Sequence, residues 1–146
     1  MAFGDPPATR QQMYQAMDRW VEGSKNTLDE AEDELKKVQE NLRSWLTPDT
    51  SAIHVVELAK TEAKIEGAVR RCREAAIGAA SKVKALRNLE DKILSESFHK
   101  RPKLPDDEAI AKIAIEVASL ASDVVSHSTE MNEALDRYFE LVKTYR

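Results

Sequence analysis

Apolar residues recur along most of this chain at alternating steps of three and four, the spacing that lines them up on one side of an α-helix. From Tyr14 the line runs through Met17, Val21, Ser24, Leu28, Ala31, Leu35, Val38 and Leu42 to Trp45 without a slip, and Asp29, Glu30, Glu32, Asp33, Glu34, Lys36 and Lys37 fill the gaps. One packed stripe with a solvated back follows for a first helix, as in a heptad seam. Thr9 and Gln12 have the Thr-x-x-Gln form of a capping box and mark its start. Ahead of them Gly4, Pro6 and Pro7 oppose any regular element, so residues 1–8 read as a flexible arm.

Thr47-Pro48-Asp49-Thr50-Ser51 breaks the pattern. Thr47 or Ser51 suits a helix cap and Pro48 a first helical position, and so short a turn folds the second helix back on the first. The second seam reads Val55, Leu58, Glu62, Ile65, Val69, Cys72, Ala76, Ala79, Val83, Leu86, Glu90 and Ile93. Ala68, Ala75, Ala80, Ala85 and Leu89 widen it, as suits a helix with two neighbours. Pro102 and Pro105 end that helix, and Asp106, Asp107 and Glu108 favour the start of a third. Its line is Ile110, Ile113, Val117, Leu120/Ala121, Val124, His127/Ser128, Met131, Leu135, Tyr138, Val142 and Tyr145. The pattern predicts an all-α fold: an elongated antiparallel bundle of three long helices with coiled-coil-like heptads, over about residues 9–47, 50–99 and 106–145 of a single 9–146 domain. A break of the second helix near Gly67 or Gly78 would make it four.

The formal charge of −4 hides an uneven distribution. Residues 60–103 carry twelve Lys and Arg against six Asp and Glu, whereas 104–146 carry four against nine. An antiparallel neighbour of the basic helix is therefore acidic, and pairing inside the fold accounts for much of the imbalance. Aromatic residues are only 5% of the chain, so Ala, Val, Leu and Ile must fill the core, and small fillers let helices come close. Trp45 and Tyr145 belong at one end with Ile53; Tyr14, Trp20, Tyr138 and Phe139 read as core plugs.

Antiparallel register constrains the chemistry. If the turns centre near residues 48 and 102, facing positions have numbers adding to about 96 for the first pair of helices and about 204 for the second. His54, His99 and His127 then fall at separate levels, too far apart to share a metal or a catalytic step. Cys72 comes level with Ser24 and about residue 132, with His127 roughly a turn and a half away, which separates the members of any Cys–His nucleophile pair. The bland reading of Cys72 is a small buried thiol. Ser24, Cys72 and Ser128 form a small, polar mid-bundle layer that fixes register; a ligand cavity there is the sharper alternative.

Glu62 and Glu90 interrupt the second seam, and neither has a second carboxylate placed for acid–base work. Only Glu96 and His99 fit the Glu-x-x-His spacing of di-iron bundles, and only once. Gly-rich phosphate loops and zinc spacings are missing as well. These observations argue for a protein that is not an enzyme and holds no cofactor. A single cysteine, an opening without the charged and apolar regions of a secretory signal, and no run of 18 apolar residues point to a soluble protein in the cytoplasm or another reducing compartment, with signal-independent export left open.

Gly67 and Gly78 each cost a helix about 1 kcal/mol relative to alanine. Both fall two residues past a seam position, on the expected outer side, and their spacing of eleven returns them to nearly the same face. The candidate partner-binding surface is therefore Gly67, Arg70, Arg71, Glu74, Gly78, Ser81 and Lys82, and the expected partner is another protein or a second copy of this one. The alternative is an electrostatic binder of nucleic acid or anionic membrane through Lys60, Lys64, Arg70, Arg71, Arg73, Lys82, Lys84 and Arg87. No small-molecule substrate is inferred. In outline the chain is similar to spectrin-type three-helix bundles and to helical-hairpin secretion or scaffold proteins, a likeness of shape alone. A short secreted class of such hairpins has Trp-x-Gly at its turn, where this chain has Trp45-Leu46-Thr47.

Overall fold

A computed structural model describes residues 9–45, 47–95 and 104–145. Three helices account for nearly all of them: α1, Arg10–Ser44; α2, Ala52–Ser95; and α3, Asp107–Tyr145. At 1.5 Å per residue α2 is about 66 Å long, and it runs unbroken through Gly67 and Gly78. Among the described residues the bundle has three helices, and the break of the second helix that would have made four is not there. The expected N-terminal arm, the extension of the second helix to residue 99, Leu46 and His99 all lie outside the described residues.

Local chemistry sets the helix starts. Thr9 and Gln12 form the capping box: the Thr9 hydroxyl accepts from the Gln12 amide at 3.2 Å, and the Gln12 side chain accepts from the Thr9 amide at 2.9 Å. Asp106 caps α3, its carboxylate accepting from the Ala109 amide at 2.8 Å. Between α1 and α2 the expected role of Pro48 is corrected. It sits inside a turn closed by the Thr50 amide on the Thr47 carbonyl and by contact of their hydroxyls, and α2 begins four residues later.

The seams bury as their spacing requires. Met17, Ala31 and Val38 of α1, Leu58, Ile65, Val69, Cys72 and Ala79 of α2, and Ile110, Val117, Val124 and Tyr138 of α3 have essentially no exposed surface. Two apolar clusters result. One surrounds Leu58, Ile65 and Tyr138, the other Met17, Val83 and Ile110, and a thin layer of Ala75, Ala76 and Val124 joins them. Thr61 takes the buried place expected for Glu62 and returns its hydroxyl to the Glu57 carbonyl. Glu62 instead accepts from the Gln39 side chain at 3.1 Å.

The register of α3 differs from expectation. Arg10 pairs with Glu90 at 2.8 Å, approaches Asp107 at 3.8 Å and donates to the Pro105 carbonyl, so the start of α3 is held beside Glu90. α2 therefore runs more than a turn past that level, and contacts between α2 and α3 join residues whose numbers add to less than the expected 204: Arg71 with Glu130, Lys82 with Glu116, Cys72 with Val124. A tight turn at residue 102 would have put Cys72 beside residue 132.

Candidate interaction surfaces

The basic face of α2 is laced to both neighbours. Arg71 meets Glu130 at 3.0 Å and Lys82 meets Glu116 at 3.1 Å on α3, while Arg73 meets Glu32 at 2.9 Å and Arg87 meets Asp18 at 2.7 Å on α1. Internal pairing of the charge imbalance, expected from the sequence, holds for these four residues. Lys60, Lys64, Arg70 and Lys84 are exposed and make no ion pair among the described residues.

The seven residues of the expected partner-binding surface divide between two directions. Gly78 does not face outward: a Cβ there would stand 3.4 Å from Leu120 Cδ1, because the glycine lies against α3. The eleven-residue spacing does return both glycines to nearly the same side of α2, about 20° apart, but α3 comes close at Gly78, over the thin Ala75–Ala76–Val124 layer, whereas nothing of α3 would lie within 4 Å of a Cβ at Gly67. Arg71 and Lys82 also turn toward α3 through their ion pairs. Arg70, Glu74 and Ser81 are exposed, and Gly67 is covered only by its own helix's Arg71, 3.5 Å from where a Cβ would sit.

The expected mid-bundle layer is spread out: ion pairs between α1 and α2 join residues whose numbers add to 105 and not to about 96, Arg73 with Glu32 and Arg87 with Asp18, which puts Ser24 about two turns from the level of Cys72. The buried Ser24 hydroxyl finds no hydrogen-bond partner among the described residues, Ser128 opens on a separate hollow, and Cys72 donates to the Val124 carbonyl at 3.5 Å. The expected distance between Cys72 and His127 shrinks with the new register. His127 lies 3.4 Å from Glu130, the carboxylate that also holds Arg71, beside Cys72 in sequence. Burial and the Glu130 charge push the thiol pKa up, away from the thiolate a nucleophile needs. Arg71 and His127 together hold the Glu130 carboxyl below its ordinary range. No three His, Cys, Asp or Glu side chains among the described residues are arranged to hold a metal ion. No described helix is long and apolar enough to cross a membrane.

At the α1–α2 turn, Tyr145 stacks on His54 with ring centres 3.7 Å apart, meets Trp45 edge-on at 6.4 Å, and donates its hydroxyl to Glu57. That carboxylate bond, with burial, raises the phenol pKa. Trp45 and Tyr145 do share one end; Ile53, expected with them, is largely exposed.

The furrow between α1 and α3 was not among the expected sites. Three hollows follow it: one of about 230 Å³ by Trp20, Gly23, Ser24 and Val125; one of about 410 Å³ by Thr27, Glu30, Ser128 and Asn132; and one of about 450 Å³ by Asn41, Trp45, Tyr138, Phe139 and Val142. Trp20 is 37% exposed, Phe139 45% and Val125 61%. Trp20 and Phe139 are thus not core plugs. Each sits one position off its seam, next to Val21 or Tyr138, and that step swings the ring onto the furrow's lip. The position beside the seam was the sequence signal available. Both tryptophans of the chain line this one furrow.

Comparison of the chain with known protein families, with curated proteins and with solved structures finds no match.

Proposed function

We propose that this chain is a non-enzymatic interaction module, of scaffold or adaptor type, which binds another protein through its helix surfaces and uses the α1/α3 furrow as its principal contact. The observation that carries this reading is the row of large apolar side chains left open there, Trp20, Val125 and Phe139, with Trp45 behind them. Exposed aromatic anchors in shallow hollows are the usual centres of binding energy at protein interfaces, and a helix laid in the furrow would bury several at once. Gly23 helps: a Cβ there would meet nothing within 4 Å, so the lip beside Trp20 stays low without any demand from internal packing.

The electrostatic alternative draws less support. Of its eight cations, Arg71, Arg73, Lys82 and Arg87 already face carboxylates on α1 and α3. Retention of proteins from the native lysate tests the proposal, with the wild-type chain compared against a Trp20→Ser/Phe139→Ser variant of equal helicity. Proteins held by the wild type and lost by the variant are the expected result. Identical retention by both would remove the furrow from the account.

A further inference from the structure

The outward face of α2 carries a second heptad line opposite the buried one. Val56, Lys60, Ala63, Gly67, Arg70, Glu74, Ile77, Ser81, Lys84 and Asn88 alternate steps of four and three, half a helical turn away from Leu58, Ile65, Cys72, Ala79 and Leu86. All but Gly67 are exposed, and Ile77 stands 57% open, with no neighbouring helix to cover it.

We infer that this face takes a second copy of the same chain, with the two α2 helices antiparallel about a two-fold axis near residue 72. A two-fold interface must complement itself: whatever residue i meets, its partner meets i in return. Centred there, Arg70 meets Glu74 of the partner subunit, Ile77 seats on Gly67 of the partner subunit, and Ala63 lies against Ser81 of the partner subunit, each twice. Arg70 and Glu74 are the complementary charges of this line. Arg71, Arg73, Lys82 and Arg87 on the same helix all have carboxylates within the fold, whereas Arg70 and Glu74 have no ion pair among the described residues.

Gly67 gains a reason it lacks within one chain. Adding a Cβ would bring only ordinary contact with the guanidinium of Arg71, so internal packing does not demand glycine, but a Cβ would fill the seat for Ile77. The register has one adverse element: Lys60 falls opposite Lys84 of the partner subunit at both ends. The pairing does not involve the α1/α3 furrow, so the two surfaces stand or fall separately.

Sedimentation equilibrium of the whole chain from micromolar to about half-millimolar concentration tests the inference. The wild type should dimerise. Arg70→Glu, which sets carboxylate against carboxylate twice, should weaken the dimer about tenfold or more, and the double exchange Arg70→Glu/Glu74→Arg should restore it. Lys84→Glu should tighten it by turning two repulsions into attractions. All these positions are exposed, so helicity should be unchanged. A wild type that stays monomeric throughout overturns the pairing, as does a dimer that ignores Arg70→Glu, including one that Phe139→Ser dissociates instead. A monomeric wild type leaves the furrow reading untouched, whereas a dimer that Phe139→Ser dissociates would place the second copy in the furrow.

Discussion

Gly78 lies directly against Leu120, with 3.4 Å between a Cβ built on the glycine and the leucine's Cδ1. This is where α2 and α3 come together over the thin Ala75–Ala76–Val124 layer, and it makes the three helical glycines unequal. Gly67→Ala and Gly23→Ala should each stabilise the monomeric chain by up to about 1 kcal/mol, the helix-propensity gain with nothing set against it. At Gly78 the new methyl comes to 3.4 Å from Leu120 Cδ1, the near edge of ordinary contact, so Leu120 has to settle against it and Gly78→Ala should gain less than the other two. Urea unfolding of the three variants at low protein concentration distinguishes the sites; equal gains at all three would mean that Gly78 has no packing role.

Arg10 joins all three helices at one end, holding Glu90, whose side chain is only 18% exposed, together with the Pro105 carbonyl. Arg10→Met leaves that carboxylate half-buried without its cation. A loss of about 2 kcal/mol is expected, with a fall in Tm of several degrees. Arg71→Met removes an ion pair whose side chains are both about half exposed, and should cost less than about 1 kcal/mol. Thermal melts of the two variants give the comparison directly, and a larger loss at Arg71 would contradict it.

Alkaline pH should destabilise the protein through Tyr14. Burial first, then the nearby Glu90 carboxylate, raise this phenol's pKa in the fold, with Arg10 and Arg87 opposing. The Arg87 guanidinium lies 4.9 Å from the ring centre. In the unfolded chain the phenol ionises near its ordinary pKa of about 10. The contribution is therefore complete below about pH 10 and is lost as the pH climbs through the raised value, because only the unfolded chain gives up its proton there. Urea unfolding at pH 8 and pH 11 should show a smaller drop for Tyr14→Phe than for the wild type. An unchanged drop would exclude Tyr14 as the cause.

Much of the fold was legible in the sequence because heptad spacing reports directly on which side of a helix is buried. The unbroken line from Tyr14 to Trp45, the capping box at Thr9 and the acidic start at Asp106 all correspond to observed elements. Register was harder to read. A turn centred near residue 102, at the first of two prolines, takes no account of Arg10, which is more than ninety positions from Pro105 and fixes where α3 begins.

The candidate surface was partly legible. A helical glycine has two opposite causes, close approach inside the fold or room left outside it, and spacing alone does not separate Gly78 from Gly67. The furrow was missed because seam analysis treats every aromatic residue near the line as a filler, whereas a single step of about 100° puts Trp20 and Phe139 on the rim.

The central claim is that the open aromatic furrow meets another protein. Photo-cross-linking in the native cell environment tests it most directly, with a photoreactive phenylalanine derivative placed at Phe139 in one experiment and at Lys36, on the exposed back of α1, in the other. A discrete cross-linked species from position 139 and none from position 36 is the predicted result. The same species from both positions, or none from position 139, would contradict it.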